Sequence, residues 1–403
     1  MRQPLSISSS NFTSLIYLIE GLAGFSRGAF LVCFGWTTLV LTGDIAKVGQ
    51  IFVVSMLTLL FGSHLVGILV DSKNRKRIII LSHLIIALLM AMLGWSLIDP
   101  QSFNVLVFFF SVVVLTFSRI SHESAIDAAL KQFSKPELLT TLLARARTVH
   151  LLGKTMMTVV TGWCLSVFNI HVAFYVAGAS SALVLAAALF LPSMPPSTPK
   201  TSQNNQIANF FTSFSVFKVA PTLLPLVLLA GLALPVGKLS NAILSSFVRD
   251  DLGLQSFEFG IIDGAWSIGG LLAAFILSVL PNRQLDGVKL SYTAGVLALC
   301  TIWLGLTSEL SVLVVLHGAM GFFCWIIRIL VEVRVLNAVP DELAGRAKSN
   351  VIFAFSAIAI VMCLSPGFVS AAATGSYYVF WGYAIGAAAL LYHITQSHRI
   401  KTS

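Results

Sequence analysis

The sequence predicts an all-α integral membrane protein, with twelve transmembrane helices in two pseudo-symmetric six-helix bundles. Three observations predict it. Of the 403 residues 57% are hydrophobic and 10% charged, with a mean hydropathy of +0.91, which leaves too little polar surface to cover a water-soluble globule. Apolar runs of about 20 residues, each long enough to cross a hydrocarbon core about 30 Å thick, recur twelve times. The Lys and Arg residues fall almost entirely between alternate runs, as cytoplasmic loops require.

The runs lie near 12–42, 47–70, 78–98, 103–126, 145–167, 172–192, 218–247, 257–280, 290–308, 311–337, 347–372 and 377–396. Span 1 follows a short polar start and holds Glu20 and Arg27, so it reads as a retained span rather than a cleaved signal peptide. Spans 2 and 3 are separated by Asp71 and the cations Lys73, Arg75, Lys76 and Arg77. With both termini inside, 18 of the 25 Lys and Arg residues reach the cytoplasm, from Arg2 through Lys135, Lys200, Lys218 and Arg283 to Lys401. Only Lys47 and Arg249 fall on the opposite side, and the other 5 lie within spans. This asymmetry predicts an even number of spans in a cell (cytoplasmic, inner) membrane.

After span 6 the chain turns polar and Pro-rich from Pro192 to Ser215, which reads as a flexible linker. The predicted organisation is therefore a bundle over 1–193, a cytoplasmic linker over 194–215 and a second bundle over 216–403. An internal echo supports duplication. KPELLTTLLARAR (135–147) follows span 4 and PDELAGRAK (340–348) follows span 10. Span 4 also carries Arg119 four residues before Glu123, as span 10 carries Arg328 four residues before Glu332. Span 7 contains Gly231, Pro235 and Gly237, a local weakness that predicts a bend or opening beside Lys238.

The net charge of +9 is accounted for by topology, so nucleic-acid binding is a poor reading of it. The five cysteines all fall within spans at no paired spacing, and the eight histidines form no HxH or HxxxH cluster. Neither a metal nor another cofactor is expected. No nucleophile-and-base constellation suggests an enzyme.

A charged side chain near the bilayer centre costs about 2.5–3.5 kcal/mol, so such residues face a cavity or a partner. The intramembrane charges are Glu20 and Arg27 in span 1, Arg119 and Glu123 in span 4 and Lys154 in span 5. Lys238 in span 7, Asp263 in span 8 and Arg328 and Glu332 in span 10 complete the set. Glu20 and Arg27 are two turns apart, about 10 Å along the axis, so they do not pair directly yet are expected to look into one cavity. One reading pairs Arg119 with Glu123 and Arg328 with Glu332 as structural ties. Even so the balance near the midplane is positive, and cations in such a place suit an anionic ligand. Trp325, one turn before Arg328, joins the candidate cavity residues, whereas His122 and His317 read as hydrogen-bonded structural groups.

Gly67, Leu69, Asp71, Arg75 and Lys76 resemble the loop 2–3 signature GxLxDRxGRR of the major facilitator superfamily, with Ser72 and Asn74 in place of its usual Arg and Gly. The PDELAGRAK segment and the whole-chain layout resemble the third drug:proton antiporter group, which includes siderophore exporters and macrolide efflux proteins. In that superfamily spans 1, 4, 7 and 10 line a central pathway, which is where most of these charges fall. The resemblance implies that Gly67, Asp71, Arg75 and Lys76 form a gate, with Asp71 near the N-terminus of span 11 latching the two halves. It also places Arg119 like a span-4 arginine implicated in proton coupling. The Gly-rich run ending in Gly-Pro expected in span 5 is largely missing from Gly153 to Gly162, where Lys154 intrudes.

The expected function is secondary active transport of a small anionic molecule by alternating access, with a carboxylate siderophore as one candidate. Arg27, Arg119, Lys154, Lys238, Trp325 and Arg328 are the expected substrate-binding residues. Glu20, Glu123, Asp263 and Glu332 are the candidates for proton coupling in export. The partners implied are the substrate, membrane lipid and the proton, with the protein acting as a monomer. A multidrug or macrolide efflux pump or a lysophospholipid flippase is the same-fold alternative; a channel or membrane sensor is the alternative of another class.

Overall fold

The computed structural model describes residues 9–99, 101, 104–133, 136–195, 223–279, 289–337, 341–367 and 373–402. Within them the chain forms twelve helical segments. These are α1 (Ser9–Thr42), α2 (Ile45–Ser72), α3 (Arg75–Ser96), α4 (Val105–Phe133), α5 (Pro136–Val167) and α6 (Ile170–Leu189). Then come α7, in two pieces (Leu223–Ala233 and Val236–Ser246), α8 (Ser256–Val279), α9 (Leu290–Leu306), α10 (Leu310–Asn337), α11 (Asp341–Leu364) and α12 (Gly375–Thr402). Each coincides with one predicted span. Nine helices among the described residues are long and apolar enough to cross a membrane, and Leu290–Leu306 is a shorter apolar helix. The predicted linker from 196 onward, with Lys200 and Lys218, lies outside the described residues, as do Arg2, Lys135 and Arg283. The side chains from 336 to 349, which include the PDELAGRAK arm of the echo, also lie outside what the structure describes.

Local chemistry sets the boundaries. Gly43, at φ +63, makes the turn out of α1, and the Asp44 carboxylate then accepts from the Ala46 amide at 2.8 Å to cap α2. Asn74 caps α3 in the same way, accepting from the Lys76 amide at 3.0 Å. A glycine there would leave that donor without its side-chain acceptor, so the departure from the family signature has a structural use. Pro235 breaks α7 where the sequence predicts weakness. The helix stops at Ala233 and restarts at Val236, with the Lys238 amide donating to the Pro235 carbonyl at 2.7 Å. It ends in a five-residue π-turn, Phe247–Asp251.

The chain divides into two compact units, Met1–Lys200 with Gln255–Gly264, and Thr201–Leu254 with Ala265–Ser403. In the first, α1 packs chiefly on α5 and α6, α3 on α6 and α4, and α2 on α4. The α1–α5 crossing is a backbone contact. A Cβ at Gly24 would lie 2.1 Å from the His150 carbonyl oxygen, one at Gly28 2.3 Å from that of Lys154, and one at Gly153 2.1 Å from that of Gly21. The glycines missing from span 5 are thus matched by glycines on α1, which hold the two helices together. Buried hydroxyls join other helices: Ser26 to Ser181 (2.7 Å) and Ser55 to Thr116 (3.0 Å). In the second unit α9 packs on α12 and α10, and α7 on α11 and α12.

Candidate functional site

A small cleft opens within the first unit, bordered by α1, α3, α4 and α5. Its polar walls are Ser26 and Arg27 from α1, His83 from α3, Thr116, Arg119, His122 and Glu123 from α4, and His150 from α5. Ala23, Phe30, Ile86, Met90 and Leu115 supply the apolar remainder. An apolar cleft with a few convergent polar groups is the usual form of a small-molecule site.

Two predicted binding residues, Arg27 and Arg119, meet here. Nη1 of Arg119 donates to Oε1 of Glu123 at 3.0 Å, so the i,i+4 pair is formed. Arg27 sits with its guanidinium carbon 5.1 Å from the centre of the Phe30 ring. No carboxylate of the described residues lies within 4.0 Å of its guanidinium. Lys154 does not border the cleft. Its electrostatic partners include Asp263, which is buried on α8 within the part of that helix that clusters with the first unit.

The expectation that Glu20 and Arg27 share a cavity is corrected. Glu20 is wholly buried behind the cleft, because the turn that brings Arg27 into it points Glu20 at α4 and α5. Nε2 of His122 donates to Oε1 of Glu20 at 3.0 Å. Nδ1 of His150 stands 3.2 Å from Oε2, outside the angular limits of a hydrogen bond, and Nη1 of Arg147 stands at 3.8 Å. Arg147 in turn donates from Nη2 to both carboxylate oxygens of Asp127, at 2.7 Å each. On the other face of His122, Nδ1 lies 3.2 Å from Nε2 of His83, with the two rings perpendicular. Among the described residues no group of His, Cys, Asp and Glu has an arrangement that holds a metal ion.

This cluster was not visible as a spacing. Its three histidines lie on three different helices, so no local pattern joins them. The usable signal was present nonetheless: histidine is an intramembrane ionisable group like any other, and spans 3, 4 and 5 carry one each at His83, His122 and His150.

In the second unit the predicted residues are dispersed. Lys238 follows the α7 break, where its carbonyl accepts from Cys363 Sγ at 3.4 Å. Arg328 is exposed, with its guanidinium 5.3 Å from the centre of the Trp325 ring; Glu332 is also exposed. The Trp325 indole lies against Gly270, where a Cβ would meet its Nε1 at 2.3 Å. His317 is buried, close to Ser240 Oγ (3.1 Å), which also bonds the Tyr378 hydroxyl (3.0 Å).

The motif between α2 and α3 works within the first unit. Nζ of Lys76 donates to the carbonyls of Leu189 (2.7 Å) and Leu191 (2.6 Å), the open end of α6. Arg75 is buried, donates to the Gln132 side chain, and its amide bonds the Met194 carbonyl at 3.0 Å. Asp71 and Gly67 are exposed. The two basic residues therefore anchor α6 and α4.

The family model described as Major Facilitator Superfamily matches residues 16–239. A sequence search of curated proteins finds no match. Among solved structures, the nucleoside transporter NupG aligns with a TM-score of 0.74 at 17% identity, covering 95% of this chain and 98% of that one. A bacterial homolog of the human lysosomal transporter Spinster, inward-facing and unoccupied, aligns with a TM-score of 0.69 at 16% identity, over 97% and 96% of the two chains. A POT family transporter in complex with a thioalcohol-conjugated peptide aligns at 0.72 and 12%, over 96% of each chain. At these identities the likeness is one of fold.

Proposed function

Because the chain belongs to the Major Facilitator Superfamily, and so is a multi-pass membrane transporter, we propose that it moves a small anionic molecule by proton-coupled alternating access. The observation that carries this reading is the cleft's charge. Arg27 and Arg119 border it together, and the one carboxylate on its wall, Glu123, is already committed to Arg119. A guanidinium in a mostly apolar cleft offers a planar fork to a carboxylate or phosphate. A cationic drug would meet the same cleft as a barrier.

Arg27 and Arg119 form the anion site; Lys154, Lys238, Trp325 and Arg328 serve later stages of the path. Glu20, Glu123, Asp263 and Glu332 are the groups through which a proton gradient is coupled. The membrane is the cytoplasmic one, with both termini inside, as the Lys and Arg distribution supports. Export of a carboxylate siderophore or similar metabolite suits the resemblance to the drug:proton antiporter group.

The test is movement of labelled citrate, succinate and a tricarboxylate siderophore in proteoliposomes with an imposed pH gradient. Transport of at least one is expected, falling at least ten-fold in Arg27→Gln and Arg119→Gln. Unchanged transport of every anion in both variants would remove the reading.

A further inference from the structure

We propose that His83, His122 and Glu20 form a proton relay, carrying protons between the cleft and the Arg147–Asp127 pair at the end of the unit where α1, α3 and α5 begin. The proposal rests on the proton-coupled reading above and names the route that coupling takes.

The geometry is a continuous line of exchangeable protons. His83 borders the cleft, and its Nδ1 has no hydrogen-bond partner among the protein groups. Its Nε2 lies 3.2 Å from Nδ1 of His122, whose Nε2 lies 3.0 Å from Oε1 of Glu20. All three side chains are at most 2% exposed, so bulk water is kept from the line. Beyond Glu20 the surroundings open. Arg147 is 40% exposed and Asp127 45% exposed, and they are joined to each other.

The carboxylate of Glu20 accepts from His122, which places a proton on Nε2 of that ring and leaves its Nδ1 to accept from His83. A proton that binds Nδ1 of His83 lets its Nε2 proton pass to Nδ1 of His122. The Nε2 proton of His122 then passes to Oε1 of Glu20. One proton enters and three positions shift. Both rings end neutral in the opposite tautomer, and Glu20 ends as the acid. The Glu20 acid then turns its proton toward Nδ1 of His150, 3.2 Å from Oε2, and release runs onward past Arg147; each ring regains its starting tautomer by taking a proton on Nε2 from water admitted as the cleft opens and giving up the one on Nδ1.

The charged groups facing this line are Arg27 from α1, Arg119, Glu123 and Asp127 from α4, and Arg147 and His150 from α5. The α6 helix brings no Lys, Arg, Asp or Glu, and α3 brings none after its first turn. A ligand anion arriving between Arg27 and Arg119 therefore changes the field at His83 directly. That gives the relay a reason to sense occupancy.

The experiment needs no substrate. Purified full-length protein in lipid nanodiscs is taken from high to low pH in a rapid-mixing infrared measurement, following the carboxylic-acid carbonyl band. The band is expected to grow as pH falls, to be missing in Glu20→Gln, and to appear at least ten-fold more slowly in His83→Gln. His83→Ala is the second variant, and added imidazole is expected to restore its rate, which a purely structural role for His83 would not allow. A band that survives Glu20→Gln, or an unchanged rate in both His83 variants, overturns the relay. Labelled citrate flux in proteoliposomes is scored separately. If no anion moves while the infrared result holds, the transport reading fails and the relay stands.

Discussion

The segments 119–123 and 328–332 carry the same Arg-x-x-x-Glu spacing on corresponding helices, yet they are used differently. On α4 the pair is closed at 3.0 Å and His122, between its members, reaches back to a buried glutamate on α1. On α10 the arginine lies over Trp325 and the glutamate is exposed. The first unit closes its Arg-x-x-x-Glu pair; the second presents a cation held by an aromatic ring. The same spacing thus sits in different surroundings, so the half that binds charge and the half that shows it are separate questions for experiment.

The sharpest way to break the first half of this contrast is to push α1 away from α5. Gly24→Leu would place carbon where the His150 carbonyl already lies, 2.1 Å from the new Cβ. Backbone has to move, so a loss beyond about 4 kcal/mol is expected, in the exceptional class for one substitution. Size-exclusion profiles and thermal unfolding in detergent would read it. Gly67→Ala is the control, because a Cβ there meets nothing within 4 Å and stability should be unchanged.

Next comes His122→Leu, which leaves Glu20 charged and buried without its donor. Removing one member of a buried charged pair costs about 3–5 kcal/mol. Adding Glu20→Leu should recover much of that, since two apolar groups replace an ion and its partner. The same unfolding assay decides: a double variant as unstable as the single one would show that His122 acts by packing alone.

These two predictions mark what the sequence could and could not tell. The twelve spans were legible because each is a long apolar run, and the α7 break because Pro235 removes a donor and fixes its own φ. Gly67 to Lys76 was legible as a family signature, but Lys76 turns to carbonyls 113 and 115 residues away, which no local pattern contains. The Glu20 cluster was hidden for the same reason, since its bonds span 39 and 102 residues. Pairing Arg119 with Glu123 was legible because one helical turn suffices.

The second half of the contrast is tested at smaller cost. Trp325→Ala removes the ring beneath Arg328, a contact worth about 0.5–2 kcal/mol depending on its hydration, while opening space beside Gly270. Stability should fall by that order. Ser240→Ala, which cuts the hydroxyl between His317 and Tyr378, is expected to cost less, about 0.6–1 kcal/mol. If Ser240→Ala proved as damaging as His122→Leu, the second unit would hold a polar core equal to the first.

The smallest effect on stability is expected from Glu123→Gln. The pair it breaks lies on one helix with both side chains partly exposed, 20% and 29%, and such pairs contribute about 0.2–0.5 kcal/mol. Its effect on binding should run the other way. Losing the carboxylate leaves the cleft wall with two guanidinium groups and no acid, so an anion no longer competes with Glu123 for Arg119. Citrate affinity, read by its protection against thermal unfolding, should rise severalfold while the unliganded midpoint barely moves. A fall in affinity would mean that Glu123 holds Arg119 in the binding pose. The closed pair on α4 would then be part of the site, whereas on α10 the arginine would remain the one stacked on Trp325.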